Sequence, residues 1–500
     1  MNRKIACILA MIFILAVLIY HNYSIRPWML DDAFISFRYA ENFAAGHGLV
    51  FNPGERVEGY TTFLWVLILG AGKAIGLNVV PFSQNLGALF AMGTILLLMF
   101  AHHFSGHISA WASLLAALFL GTCGIFTPWP SSGMEVSLFT FLVLVSLLFH
   151  FSLSEKEKKG IRKLLLLGAC LALGSLTRPE GLLIAGFVLA ERLLMGRKAG
   201  WKNFHPVFLS FAGIYLPYFC WRLAYYGYLL PNTFYVKVGA STAQISRGIA
   251  YFKDFLSPAF LLIATGLITF VTLRWFRAYR KLLLIPLILF FYTAYIVMVG
   301  GDTMPAFRFF APLMPLICLL AGIGVGSLLG PKRLVAALGL VLSLAAIVYN
   351  LYQIKNDSHI HQRIQRDQVA AHGREVGIWL RMHSRPDAVI ATNTAGSIPY
   401  FSRLKTIDML GLNDVHIAHR PIARLGKGRA GHEKGDGAYV LSRRPDYIHM
   451  GSSLGSIQPD QGFLSDEEIF AQPLFQQLYE LKIVSLPSGM NLNIYLKKKE

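Results

Sequence analysis

Charge is scarce in this chain, and acidic charge scarcest of all. Only 15% of its 500 residues are Asp, Glu, Lys or Arg, and 27 acidic residues face 46 basic ones. A soluble globular domain carries about a quarter charged residues. Cysteine is rare too. Cys7, Cys123, Cys170, Cys220 and Cys318 lie in or beside apolar segments, with no CxxC pair among them. That pattern excludes a disulfide framework and a structural zinc site. Walker A, HExxH, GxSxG and dinucleotide-binding motifs are missing from any credible context, so no nucleotide site is expected. Internal repeats and low-complexity tracts are absent as well. What fills the chain instead is apolar: 55% hydrophobic residues and a mean hydropathy of +0.51. Apolar runs of about 17 or more residues recur along it, which is the transmembrane signature.

The net charge of +19 does not point to nucleic acid. The Lys and Arg residues cluster between apolar segments, as cytoplasmic loops do, and anionic lipid headgroups are their expected partner. Twelve apolar segments are candidates: 5–20, 61–77, 86–101, 108–126, 136–152, 164–176, 181–195, 205–223, 259–273, 282–299, 312–328 and 333–349. Basic loops at 154–163, 197–202, 274–281 and 331–333 belong inside by the positive-inside rule. The first segment follows Asn2-Arg3-Lys4 and lacks a small-residue cleavage site, so it reads as an uncleaved anchor with its N-terminus inside. Loops 21–60, 127–135, 177–180, 224–258 and 300–308 then fall outside, as does everything after about 350. The crossing count requires one of the early segments not to span. Segment 61–77, interrupted by Gly70, Gly72 and Lys73, is the one expected to be juxtamembrane or re-entrant, which leaves eleven spans. Residues 361–383 read as one amphipathic helix. Ala388–Thr392, Tyr447–Met450, Lys482–Leu486 and Leu492–Lys497 read as strands. The fold class is thus a mainly α polytopic membrane protein, with a membrane module over 1–350 and an extracytoplasmic α/β domain over 351–500.

Polar chemistry concentrates in the loops assigned outside. The first, 21–60, carries the adjacent carboxylates Asp31 and Asp32, which suit either a general base beside a cavity or helix-capping positions. Glu55, Arg56 and Glu58 read as an exposed charge cluster, and His47 as a turn residue. Glu135 sits at the outer end of a span, Arg178 and Glu180 at a hairpin tip, Asn232 and Lys237 among aromatics, and Asp302 and Arg308 in the 300–308 loop. Singly, each suits a helix end anchored at the interface. Together on one face, cations that can hold a phosphate and carboxylates that can activate a hydroxyl suit a lipid-linked phosphate donor.

The run DDAFISFRYAENFAAGHGLVFNPGERVEGYT, Asp31 to Thr61, resembles the AftB-type arabinofuranosyltransferases of bacterial envelopes, within the GT-C glycosyltransferases that use polyprenyl-phosphate sugars. SGMEV, LTRPEG, LPNTFYVK, GGDTMPAFRFFAP and LGLND resemble later stretches of that family. The resemblance implies a GT-C bundle in the bacterial inner membrane. It implies transfer of a sugar, arabinofuranose foremost, from a polyprenyl-phosphate donor to an extracytoplasmic glycan or glycoprotein, with no cofactor beyond that donor. It makes one Asp of the Asp31-Asp32 pair catalytic, Asp31 being favoured. Glu135, Arg178, Glu180, Asn232, Lys237, Asp302 and Arg308 would line the substrate cavity, with Arg178, Lys237 and Arg308 on the phosphate by their chemistry. A transporter or flippase of lipid-linked sugar is the alternative; it predicts midplane ionisable residues and paired repeats.

Overall fold

The computed structural model describes residues 3–25, 28–153, 160–194, 199–239, 241–272, 280–329, 332–423 and 425–499. Most of the basic loops at 154–163 and 274–281, and part of those at 197–202 and 331–333, lie outside those residues. All twelve apolar segments are helices. In chain order the first fourteen α-helices among the described residues are α1 (Arg3–Ser24), α2 (Asp31–Ala44), α3 (Phe63–Ala74), α4 (Val79–Met99), α5 (Ala110–Gly121), α6 (Val136–Ser152), α7 (Ile161–Thr177), α8 (Gly181–Leu194), α9 (Ala199–Tyr226), α10 (Asn232–Lys237), α11 (Thr242–Thr272), α12 (Leu284–Met298), α13 (Met314–Leu328) and α14 (Arg333–Asn356). Six of the helices among the described residues are long and apolar enough to cross a membrane. Helix α3, in the segment expected not to span, has 12 residues, about 18 Å against a hydrocarbon core of about 30 Å. Helix α5 is equally short.

Helix α13 forms the centre of the bundle and packs between α5 and α11. Close approach is possible because small residues line it: a Cβ on Gly322 would lie 2.4 Å from the Ala112 carbonyl oxygen, and one on Gly324 2.5 Å from that of Thr265. Apolar side chains gain nothing by leaving lipid for protein, so such backbone contact is what draws membrane helices together.

After α14 the chain builds a five-stranded mixed sheet in the order β2-β1-β3-β5-β4, from β1 (Val389–Thr392), β2 (Lys405–Asp408), β3 (Tyr447–His449), β4 (Tyr479–Ser485) and β5 (Asn491–Lys497). The first three are parallel and the last two run antiparallel. Alternation along β1 sends Ile390 to one small core, with Val376 and Leu380, and Ala391 to another, with Ile407 and Phe475. Strand β2 is the one the sequence pattern passes over. The helix expected over 361–383 is broken: a short turn, Arg363–Arg366, ends at Asp367, and α15 starts at Val369 and runs to His383. At the break Asp367 leaves the helical conformation, and its carboxylate accepts a hydrogen bond from Trp28 Nε1 at 3.1 Å.

Helix α2 ties the two parts together. Its Arg38 is buried and donates to the Phe51, Pro399 and Leu404 carbonyls at 2.6–2.8 Å and to Asn52 Oδ1 at 3.0 Å. Glu41 pairs with Lys73 on α3 and with Arg403 beyond the short helix α16 (Ser397–Ser402). Glu58 is likewise buried against the α9 residue Arg222, Oε2 to Nη2 2.6 Å, so it does not belong to an exposed charge cluster. Glu55 pairs with Lys405 at 2.7 Å and Arg56 lies over the Tyr225 ring.

Candidate active site

The loops that the charge pattern assigns to one face converge on a single cavity of about 850 Å³. Asp31, Asp32, Glu135, Arg178, Glu180, Lys237, Asp302 and Arg308 all line it, although they come from five separate stretches of chain. Asn232 does not. It is buried behind the wall and donates to the Gly411 and Leu412 carbonyls at 2.7 and 3.0 Å, so it holds the LGLND run in place instead of meeting the cavity.

Asp31 and Asp32 occupy the first turn of α2, where negative charge suits the helix dipole, but neither caps that helix. The Asp31 carboxylate is consumed by the C-terminal region. It accepts from the Gly396 amide at 2.9 Å, from the Ser397 amide at 2.8 Å, and from the Ser397 hydroxyl. A Cβ on Gly396 would lie 1.9 Å from the Asp31 carbonyl oxygen, so only glycine permits this contact. Burial pushes the Asp31 pKa up to about 6, although the three hydrogen bonds pull it down. Asp32 faces the cavity with 23% of its side chain exposed, its nearest charged neighbour being Arg308 Nη1 at 3.6 Å.

Three basic groups lie deep in the site. The Arg178 guanidinium is saturated by two buried carboxylates, Glu135 at 2.6 Å and Glu180 at 2.9 Å. Arg308 grips Asp302 with Nε at 2.7 Å and Nη2 at 3.2 Å. Burial would raise Asp302, but Arg308, Lys237 and Arg178 outweigh it and hold the carboxyl below its usual range. Lys237 differs, having no ion-pair partner among the described residues. Burial lowers its pKa, and the negative charges of Asp32 and Asp302 oppose that shift. Among the described residues no group of three or more His, Cys, Asp or Glu is placed to hold a metal ion.

Part of the lining was not foreseen. Arg363, Arg366 and Asp367 enter at the break before α15, where a continuous helix had been expected. Arg429, Gly431 and His432 enter from LGKGRAGH, residues 425–432. Its glycines and basic residues were the available signal. The loop lies against the membrane module: the Ser241 hydroxyl bonds the Leu425 carbonyl at 3.2 Å, and Arg247 Nη1 reaches the Gly428 carbonyl at 2.7 Å and Glu433 at 3.1 Å. Leu182, Leu183, Phe234 and Val299 supply an apolar wall to the same cavity.

Comparison with known proteins agrees with this architecture. A family model described as a domain of unknown function, DUF8728, matches residues 358–495. The chain is 28% identical over 347 residues to the terminal β-(1→2)-arabinofuranosyltransferase of Mycobacterium tuberculosis, covering 61% of this chain and 53% of that one. The chain spans about half the length of the curated relatives it matches. ArnT from Cupriavidus metallidurans bound to undecaprenyl phosphate superposes with a TM-score of 0.57 at 13% identity, covering 80% of this chain and 85% of that one. The oligosaccharyltransferase AglB from Archaeoglobus fulgidus, in complex with an inhibitory peptide and a dolichol-phosphate, gives a TM-score of 0.62 at 12% identity over 99% and 74% of the two chains. The fold is the polytopic GT-C fold of membrane glycosyltransferases.

Proposed function

We propose that this chain is a membrane glycosyltransferase that moves a sugar, arabinofuranose foremost, from a polyprenyl phosphate to a glycan or glycoprotein on the outer face of a bacterial plasma membrane. One observation carries the reading: a cavity-facing carboxylate, Asp32, and a deep cation with no carboxylate partner among the described residues, Lys237, share one cavity with an apolar wall. The resemblance to arabinofuranosyltransferases supports the sugar, and ArnT with its undecaprenyl phosphate supports the lipid carrier.

The chemistry follows from the groups available. Asp32 takes the proton of an acceptor hydroxyl, and that oxygen attacks the anomeric carbon. The bond from the anomeric carbon to the phosphate oxygen breaks, and its electron pair leaves with the polyprenyl phosphate. Lys237 meets the charge that grows on the phosphate. Arg308 orients Asp32 and is itself fixed by Asp302. Asp31 is a positioning residue that fastens α2 to the C-terminal region, and residues 351–500 act as a domain that completes the cavity from the acceptor side.

The test is transfer by purified protein in nanodiscs, supplied with polyprenyl-phosphoryl arabinofuranose and a panel of acceptors. Asp32→Asn is expected to lose roughly 100-fold or more in kcat while keeping its folded elution profile. Transfer at wild-type rate by Asp32→Asn would remove it as the base. Wild-type protein that neither transfers nor hydrolyses any polyprenyl-linked sugar would remove the transferase reading.

A further inference from the structure

The charges lining the cavity are sorted by depth. Arg178, Arg308 and the carboxylates Glu135 and Glu180 are at most 6% exposed, and there the two arginines are already neutralised. Arg363, Arg366 and Arg429 are exposed at the mouth, and none forms an ion pair with a described residue. Among the described residues a single acid lies beside them, Asp367, whose carboxylate accepts from the Trp28 indole and whose pKa burial raises. The mouth therefore carries excess positive charge above an interior in which carboxylates outnumber cations.

Arg363 and the loop that carries Arg429 are anchored to the membrane module. Arg363 donates to the Thr303 carbonyl at 3.1 Å. Arg429 sits on the loop that Arg247 and Ser241 clamp. A Cβ on Gly431, two residues further on, would lie 3.1 Å from Lys237 Cε, so the loop packs directly on the lysine side chain. All three arginines come from the region after α14, whereas the apolar wall comes from α8, α10 and the end of α12. The apolar wall and these exposed arginines thus belong to different parts of the chain.

We infer that Arg363, Arg366 and Arg429 form an acceptor subsite for an anionic glycan, one bearing carboxylate or phosphate groups near the accepting hydroxyl. The inference rests on the transferase reading above and adds the charge class of the acceptor to it. Arginine suits the task because its planar fork pairs with carboxylate and phosphate oxygens in bidentate fashion. Placed at a mouth, such charge also speeds the encounter with an anionic polymer, in a salt-dependent way.

The experiment uses the full chain in nanodiscs of zwitterionic lipid, with the variant R363Q/R366Q/R429Q and the single variant R429Q beside wild type. Probes are an oligouronate, a phosphate-bearing oligosaccharide, a neutral oligosaccharide of equal length, and undecaprenyl phosphate alone. Wild type is expected to bind an acidic oligosaccharide more tightly than the neutral one, with salt weakening the difference. The triple variant is expected to lose roughly tenfold in that affinity, three exposed ion pairs each contributing modestly, with R429Q between the two. Undecaprenyl phosphate should bind all three proteins alike. Equal binding of acidic and neutral probes by wild type overturns the inference. So does a triple variant that loses undecaprenyl phosphate as strongly as it loses the acidic glycan, because the arginines would then serve the donor. Donor hydrolysis without acceptor, measured in the same wild-type preparation, tests the transferase reading separately.

Discussion

Two carboxylates adjacent in sequence meet opposite surroundings. Asp31 points to the amides of Gly396 and Ser397, and Asp32 points to open cavity near Arg308. A proton acceptor needs a lone pair within reach of substrate, and Asp31 has committed its oxygens to three donors. Its burial makes a pH prediction. The folded-state pKa of about 6 lies above the ordinary value of 3.8. The folded protein therefore binds that proton more tightly than the unfolded chain does. The associated stabilisation is complete below about pH 3.8 and is lost as pH rises through about 6. In detergent, the thermal midpoint of wild type should rise relative to that of Asp31→Asn as pH falls from 7.5 to 5, whereas the variant lacks this increment. Parallel pH curves for the two proteins would remove Asp31 as the titrating group.

Among the elements, the junction of α6, α7 and α8 depends on Arg178. Glu135 ends the stretch before α6, and Arg178 and Glu180 make the turn between α7 and α8. The guanidinium is what allows two carboxylates to be buried there. Removing it strands both charges, at a cost of about 3–5 kcal/mol for a broken buried pair. Arg178→Gln should show a lower thermal midpoint and poorer yield. Combining it with Glu135→Gln and Glu180→Gln should recover part of the loss, because no uncompensated charge then remains. If Arg178→Gln keeps wild-type stability while losing donor affinity, the arginine serves the phosphate instead of the junction.

For the molecule as a whole, the cavity lies where the helical bundle and the C-terminal region meet, and the segments that line it are expected on one side of the membrane. Impermeant maleimide applied to intact cells should label Lys427→Cys in a background without the five native cysteines, since residue 427 is exposed on the loop beside the cavity. A cysteine placed in 154–163 should react only after permeabilisation. The reverse pattern would invert the orientation expected from the basic loops.

Composition and period determined much of this protein without tertiary information. Long apolar runs can only be satisfied as helices in lipid, so each of the twelve segments is helical. Four of the five strands lay in β-rich stretches bounded by turn residues. Eight of nine candidate lining residues were legible because ionisable groups at span ends are costly and therefore few, and they stand out against apolar neighbours. Tertiary structure decided the rest. Asn232 turned out to hold the LGLND run, because which backbone carbonyls it meets depends on a segment some 180 residues away. Asp31 and Asp32 meet different surroundings because Gly396 and Ser397, some 365 residues further along the chain, donate to Asp31. Arg363 and Arg366 reached the cavity where a helix that local periodicity would have continued breaks at Asp367, whose carboxylate meets Trp28 some 340 residues back. A sequence pattern reports the preferences of neighbours along the chain, and each of these outcomes involves a partner about 180 or more positions away.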